Sequence, residues 1–178
     1  SDVCSDLRRI FPQYMGYPLN LDNPQTFSEK MQWMKLYDRK SIYTTMVDKY
    51  EAKKYLADRI DSKYIIPTLG VWDSFDEIDF DALPNQFVLK CTHDSGGIIV
   101  CKDKSKFDKE GARQIINKSL QRDFYLIARE WPYKNVRRRI LAEEYIDELG
   151  NADLLDYKMY SFHGEPKLTV VCSERFSK

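Results

Sequence analysis

"FVLKCTHDSGGIIVC", residues 87–101, decides how the rest of the chain is read. An apolar run ends in Lys90, a polar turn containing Ser95, Gly96 and Gly97 follows, and a second apolar run begins. "QFVLKCT" and "GIIVCKD" carry the branched and aromatic content of β-strands. Two readings of the turn stand side by side. In one it is an ordinary hairpin with an exposed lysine. In the other it holds a phosphate: lysine is a compact charge suited to that anion, and glycines let backbone N–H groups close around it. Neither GxxxxGK[ST] nor GxGxxG occurs in the chain, so the turn is neither a Walker loop nor a dinucleotide fingerprint. Cys91 and Cys101 flank the turn, and pairing of the two strands would bring the thiols close. A reduced, buried pair is the expected state in cytosol. With Cys4 and Cys172 they form no CxxC spacing, which argues against zinc.

Composition sets the frame around this hairpin. The 178 residues make one domain or one compact fragment. Cations and anions balance at 28 each, so no basic field argues for a nucleic-acid partner. No apolar run approaches the roughly 20 residues of a membrane span, and no signal-peptide pattern opens the chain. A cytoplasmic setting is expected.

Working outward, "IFPQYMGYPLNLDNP" is turn-rich and aromatic and reads as a loop packed on something else. "TFSEKMQWMKLYDR" begins a helix with Thr26 and Glu29 in capping-box spacing. "TTMVDKYEAKKYLADRI" reads as a second helix, with Asp48 near its start where a carboxylate suits the dipole. "YIIPTLGVW" is strand-like but interrupted by Pro67 and Gly70. Residues 108–129 read as one long amphipathic helix. "RRILAEEYID" is an apolar strand running into acids, and "LLDYKMYSFHGEPKLTVVCSERF" is a hairpin turning at "HGEP". The order is helix, helix, three strands, helix, three strands. Mixed elements with antiparallel hairpins favour an α+β, mixed-sheet architecture over a doubly wound fold.

Several polar residues sit where chemistry is possible. Asp48 and Lys49 open a helix, as a nucleotide contact or as a cap beside a solvated lysine. Glu143 and Glu144 alternate faces at the end of an apolar strand, with Asp147 and Glu148 following. An acid and a free backbone at a strand end suit the edge of an adenine; a solvated acidic turn is the alternative. Asp156, Lys158 and Tyr160 share a strand face, where an acid–base pair is worth about 0–1 kcal/mol if exposed. His93 and His163 are turn residues without a nucleophile placed for a triad. "KNVRRR", residues 134–139, is a basic run: a solvated face or a site for an anionic substrate.

The order of these signals resembles the ATP-grasp superfamily. In particular the chain is similar to its TupA-like branch, associated with teichuronopeptide and capsular polysaccharide biosynthesis. The resemblance runs from about Leu19 to Lys167, through "NLDNPQTFSEKMQWMKLYDRK", "VDKYEAKKYLADRI", "YIIPTLGVWDSFDEIDFDALPNQFVLKCTHDSGG", "EWPYKNVRRRILAEEYI" and "DLLDYKMYSFHGEPK". It implies an ATP-grasp-like α+β fold with an N-terminal helical segment over 1–66, a glycine-loop subdomain over 67–142, and the start of a second subdomain over 143–178. It implies that Lys49 and Lys90 contact nucleotide phosphates and that Ser95, Gly96 and Gly97 form the loop closing over them. It further implies that Glu143 meets the adenine amino group, that Ile146 offers hinge backbone to the adenine edge, and that Asp156 binds ribose hydroxyls. ATP and Mg2+ are the implied cofactors. An intact relative would make an acyl phosphate from a carboxylate and join it to an amine, with polysaccharide-linked substrates among those the resemblance allows. The magnesium ligands are expected beyond Lys178. Here only Glu165 and Glu174 supply late acids, so the fold is expected to be truncated at its C-terminus and a catalytic residue is left unassigned. The rival functions are a non-catalytic nucleotide-binding module and a glycosyltransferase. The only DxD-like text, "DFD" at 79–81, falls in a connecting segment.

Overall fold

The computed structural model describes residues 2–146 and 155–172. The chain divides into two compact units, residues 1–144 and 145–178. Asp147, Glu148 and Glu174 lie outside the described residues.

The first unit opens on a helix, not a loop: α1 spans Val3–Met15. Asp2 caps it by accepting from the Ser5 amide, and Gly16 ends it in the left-handed region at φ 76°. Pro12 lies inside, at a cost of about 3 kcal/mol in a helix interior. Burial of Leu7 and Phe11 on one face, and an ion pair between Asp6 and Arg129, oppose that cost. The aromatic and turn residues that suggested a loop are the last helical turn and its exit. Helix α2, Phe27–Tyr37, begins at the expected capping box, with both Thr26–Glu29 hydrogen bonds formed.

The expected second helix is two. Ser41–Val47 is α3 and Glu51–Ala57 is α4. Between them the Lys49 amide donates to the Thr92 carbonyl (3.1 Å), and Asp48 Oδ1 accepts from the amides of Tyr50 (2.9 Å) and Glu51 (3.1 Å). A helix through Asp48 would have to forgo these bonds, and they win. The long helix over 108–129 is likewise broken. Helix α5 runs Lys109–Gln121, and a short α6, Phe124–Ala128, begins under its own cap, Asp123. Arg129 closes it in the left-handed region at φ 54°.

The sheet of this unit has strands β1 (Thr68–Trp72), β2 (Phe87–Cys91), β3 (Ile99–Cys101) and β4 (Ile140–Glu144). They lie in the order β1-β4-β2-β3, and every pairing is antiparallel. Strand β1 starts just after Pro67 and carries an irregularity between Thr68 and Gly70. One sheet face buries Phe87, Leu89, Cys91, Ile140 and Ala142 against Ala112 and Ile116 of α5 and against Phe75, Ile78, Phe80 and Leu83. Rings of Phe80, Phe87 and Phe107 meet there, with Phe87 and Phe107 edge-on at 5.2 Å. The other face carries Lys90, Leu141 and Glu143. Cys101 lies opposite Phe87 and Cys91 opposite Ile140, so the two thiols do not meet across the hairpin; all four cysteines are free.

In the second unit, β5 (Asp156–Phe162) and β6 (Glu165–Cys172) form an antiparallel hairpin. His163 and Gly164 make the turn at φ 54° and 81°, where the sequence placed it. The described chain is therefore α+β with antiparallel sheets and flanking helices, as expected.

Candidate functional site

Period-two alternation along β4 places Arg139, Leu141 and Glu143 on the face away from the phenylalanine core. Glu143 is 3% exposed, which a lone carboxylate does not tolerate. Two lysines neutralise it. Lys90, from the neighbouring strand, pairs with Oε2, and Lys53, from α4, pairs with Oε1 at 2.5 Å. Lys53 also donates to the Ile66 carbonyl and is 3.4 Å from the Thr68 hydroxyl. Sequence reading missed Lys53. The signal for it was its place four residues after Lys49, which on a continuous helix sets two cations on one face. Such a pair calls for an anion nearby.

Lys49 reaches the same region from the α3–α4 turn. Its ammonium donates to the Asp94 carbonyl at the root of the glycine turn. Burial lowers its pKa, and the positive charge of Lys90 lowers it further. The two lysines therefore feel one another, although they come from different elements.

The turn that follows β2 is anchored rather than loose. Asp94 is 1% exposed; its Oδ2 accepts from Ser119 Oγ (2.8 Å) and from the Arg122 guanidinium (3.2 Å). Burial alone would raise its pKa, but the Ser119 hydrogen bond, the Gly96 amide and the Arg122 charge outweigh it, and the carboxyl sits below its ordinary range. Gly97 takes φ 65°, and a Cβ there would come within 2.6 Å of Ser119 Cβ. A Cβ on Gly96 would stand 2.7 Å from the Arg122 guanidinium. The glycines thus let the turn lie directly on the end of α5, and Ser95 stays exposed beside them. His93 is buried, its Nε2 3.2 Å from the Arg122 carbonyl, and burial holds its pKa below the ordinary value.

The three arginines of the basic run go to separate acids. Arg137 meets Asp73 (2.6 Å), Arg138 meets Asp123 (3.3 Å), and Arg139 turns inward to Asp48 and Glu51. None of the three forms the open basic patch that the sequence run allowed.

The structure therefore brings Lys49, Lys90 and Glu143 together, with the Ser95–Gly96–Gly97 turn adjoining them through Asp94. Ile146 and Asp156 belong to the second unit. Ile146 is exposed there, and Asp156 opens β5 with Lys158 4.0 Å away on the same face. Two grooves of about 450 Å³ each occur elsewhere in the first unit. One is bounded by β3 and α5, the other by α1, α2 and α6. Among the described residues no group of three or more His, Cys, Asp or Glu is placed to hold a metal ion. Magnesium takes octahedral oxygen ligands, and the described residues offer no such donor set.

On this α+β scaffold Lys90 of the sheet and Lys53 of α4 hold one buried acid, Glu143, and Lys49 adjoins them at the root of the glycine turn. The TupA-like ATP-grasp family model matches residues 29–178, and the chain belongs to that family. No curated protein and no solved structure matches it.

Proposed function

We propose that the chain binds ATP on the lysine-bearing face of its sheet. We propose further that it serves carboxylate–amine ligation through an acyl phosphate, in cell-surface polysaccharide or teichuronopeptide biosynthesis. The observation that carries the reading is the meeting of Lys49 and Lys90 beside a glycine turn, in a member of an ATP-grasp family. Summed over Lys49, Lys53, Lys90 and Glu143 the cluster has an excess of positive charge, which a triphosphate offsets.

In this reading Lys49 leaves the Asp94 carbonyl and Lys90 leaves Glu143 as phosphate oxygens replace those acceptors. The amides of Ser95, Gly96 and Gly97 take the remaining phosphate oxygens. Lys53 stays on Glu143 and holds its carboxylate toward the adenine amino group, Ile146 offers backbone to the adenine edge, and Asp156 takes the ribose hydroxyls. A substrate carboxylate then attacks the γ-phosphorus with loss of ADP, and an amine attacks the acyl carbon with loss of phosphate. Positioning and electrostatics supply the rate in such a reaction. No step is assigned to Mg2+ on the described residues. The segments 1–66, 67–142 and 143–178 are kept as the subdomains of this reading, and the setting as cytoplasmic. No described helix is long and apolar enough to cross a membrane.

Thermal shift with ATP–Mg, ADP and UDP-sugars tests the assignment. ATP is expected to stabilise the chain by about 2–3 kcal/mol at a hundred times its Kd, and Lys90→Ala to remove most of that gain. Selective stabilisation by a UDP-sugar overturns it in favour of a glycosyltransferase. Binding with no ADP release on any acid–amine pair leaves a nucleotide-binding module and ends the ligase reading.

A further inference from the structure

We propose that Arg139 is a positioning residue of the nucleotide site: its guanidinium clamps Asp48 and Glu51, fixes the turn that carries Lys49 opposite Lys90, and thereby sets phosphate affinity. The proposal rests on the nucleotide reading above and adds to it a residue that contacts no ligand.

Arg139 is held from both ends. Its amide donates to Thr92 Oγ1 (3.2 Å), and its carbonyl accepts from the Thr92 amide (2.9 Å). Thr92 in turn accepts the Lys49 amide on its own carbonyl (3.1 Å). At the far end of the side chain, which is 11% exposed, Nη2 reaches Asp48 Oδ2 at 3.0 Å and Glu51 Oε1 at 2.9 Å. The guanidinium carbon lies 4.9 Å from the centre of the Tyr50 ring. Every residue of the Asp48–Lys49–Tyr50–Glu51 turn is thus tied to Arg139, or to the Thr92 that Arg139 holds. The turn has no regular helix to set it, because α3 ends at Val47 and α4 starts at Glu51.

Two physical arguments favour positioning over stability alone. Buried ion pairs are weak sources of stability, since apolar side chains of similar volume often serve as well; what Arg139 adds is a single Nη2 whose two N–H bonds are fixed in the guanidinium plane and reach both carboxylates. The second concerns charge. Lys49 is half-buried and repelled by Lys90, and Asp48 is among the groups that favour its charged form. Arg139 keeps the Asp48 carboxylate beside it. Of the three consecutive arginines, Arg137 and Arg138 pair with Asp73 and Asp123, and Arg139 alone is turned to this site.

Calorimetric titration of the full chain with ADP and with adenosine tests the proposal on wild type, Arg139→Lys, Glu51→Gln, Lys49→Met and the Lys49→Met/Arg139→Lys double variant. Arg139→Lys keeps the charge and replaces the two fixed N–H directions of Nη2 with a freely rotating ammonium. It is expected to weaken ADP about tenfold, or 1.4 kcal/mol, and to leave adenosine within about twofold. Glu51→Gln relaxes one arm of the clamp at a partly exposed carboxylate and is expected to give a smaller loss in the same direction. In the Lys49→Met background, Arg139→Lys is expected to cost nothing more, because its effect passes through Lys49. Equal losses for ADP and adenosine, or losses that add in the double variant, overturn the positioning role while leaving the site in place. If Lys49→Met binds ADP as wild type does, the nucleotide reading itself fails. Should Arg139→Lys not fold, Glu51→Gln alone decides, by whether its loss is confined to ADP and vanishes with Lys49→Met.

Discussion

At the scale of single residues, burial and hydrogen bonding set the protonation of His93 and Asp94 at the glycine turn. His93 is 3% exposed at the root of the glycine turn, and burial holds its pKa below the ordinary value. As pH falls, the unfolded chain therefore takes up this proton first. Stability rises with pH between the folded value and about 6.5, and is lost on acidification through that interval. Asp94 carries the same sign lower down: its carboxyl is held below the usual range, so its contribution is present above about 3.9 and lost as pH falls through the folded value. Acid softening that sets in as pH falls below about 6.5 is assigned to His93. His93→Gln keeps a donor for the Arg122 carbonyl and removes the titration. Its melting temperature is expected to fall less than that of wild type as pH is lowered from about 6.5, measured at fixed salt. An unchanged slope would show that another group governs this range.

At the scale of elements, the strands were legible and the helix breaks were not. "QFVLKCT", "GIIVCKD" and "RRILAEE" became β2, β3 and β4 because alternation along each strand reports a local fact, which face is buried. The same alternation on β4 also set Glu143 and Glu144 on opposite faces. The break at Asp48 depends on partners distant in the chain: the Lys49 amide is taken by Thr92, and Asp48 by Arg139. No window of local sequence contains those bonds. Lys53 was hidden for the same reason, since a lysine on a helix reads as solvated until the buried acid beneath it is known. Helix α1 was misread because Pro12 and the aromatics look like turn signals, whereas burial of Leu7 and Phe11 decides the outcome. The glycine turn is the element where packing and backbone act together. Gly97→Ala meets both a positive φ and the Ser119 side chain at 2.6 Å. The conformation costs about 1–2 kcal/mol, and the contact adds to it. Ser119→Gly in the same chain is expected to restore the part due to contact and leave the part due to φ. Denaturant titration of the two single variants and the double reads both parts. If Ser119→Gly restores nothing, the turn does not pack on α5 as described.

At the scale of the whole molecule, the two units differ in what they bury. Strands β2 and β4 contribute Phe87, Leu89, Ile140 and Ala142 to the core, each 0% exposed. The β5–β6 hairpin keeps Tyr157, Met159, Leu168 and Val171 more than half exposed, at 58%, 67%, 56% and 52%. A two-stranded hairpin needs a hydrophobic face packed on something to be stable in water, and stability within a chain follows buried apolar contact. The amides of β2 and β4 are therefore expected to exchange only through global unfolding, while those of β5 and β6 exchange through local opening. Mass-spectrometric hydrogen exchange should find peptides over 156–172 deuterated about a hundredfold or more faster than those over 87–91 and 140–144. The consequence for function is direct. Lys90 and Glu143 stand on the slowly exchanging sheet and Lys49 on the turn bonded to Thr92 at its edge, whereas Asp156, read as the ribose ligand, stands on the hairpin. If Asp156 binds the ribose as proposed, saturating nucleotide should slow exchange at 156–162 far more than at 87–91. Equal protection of the two units without nucleotide would contradict the burial argument. A hairpin whose exchange is untouched by bound ATP would instead remove Asp156 from the site and leave the lysine face as its whole extent.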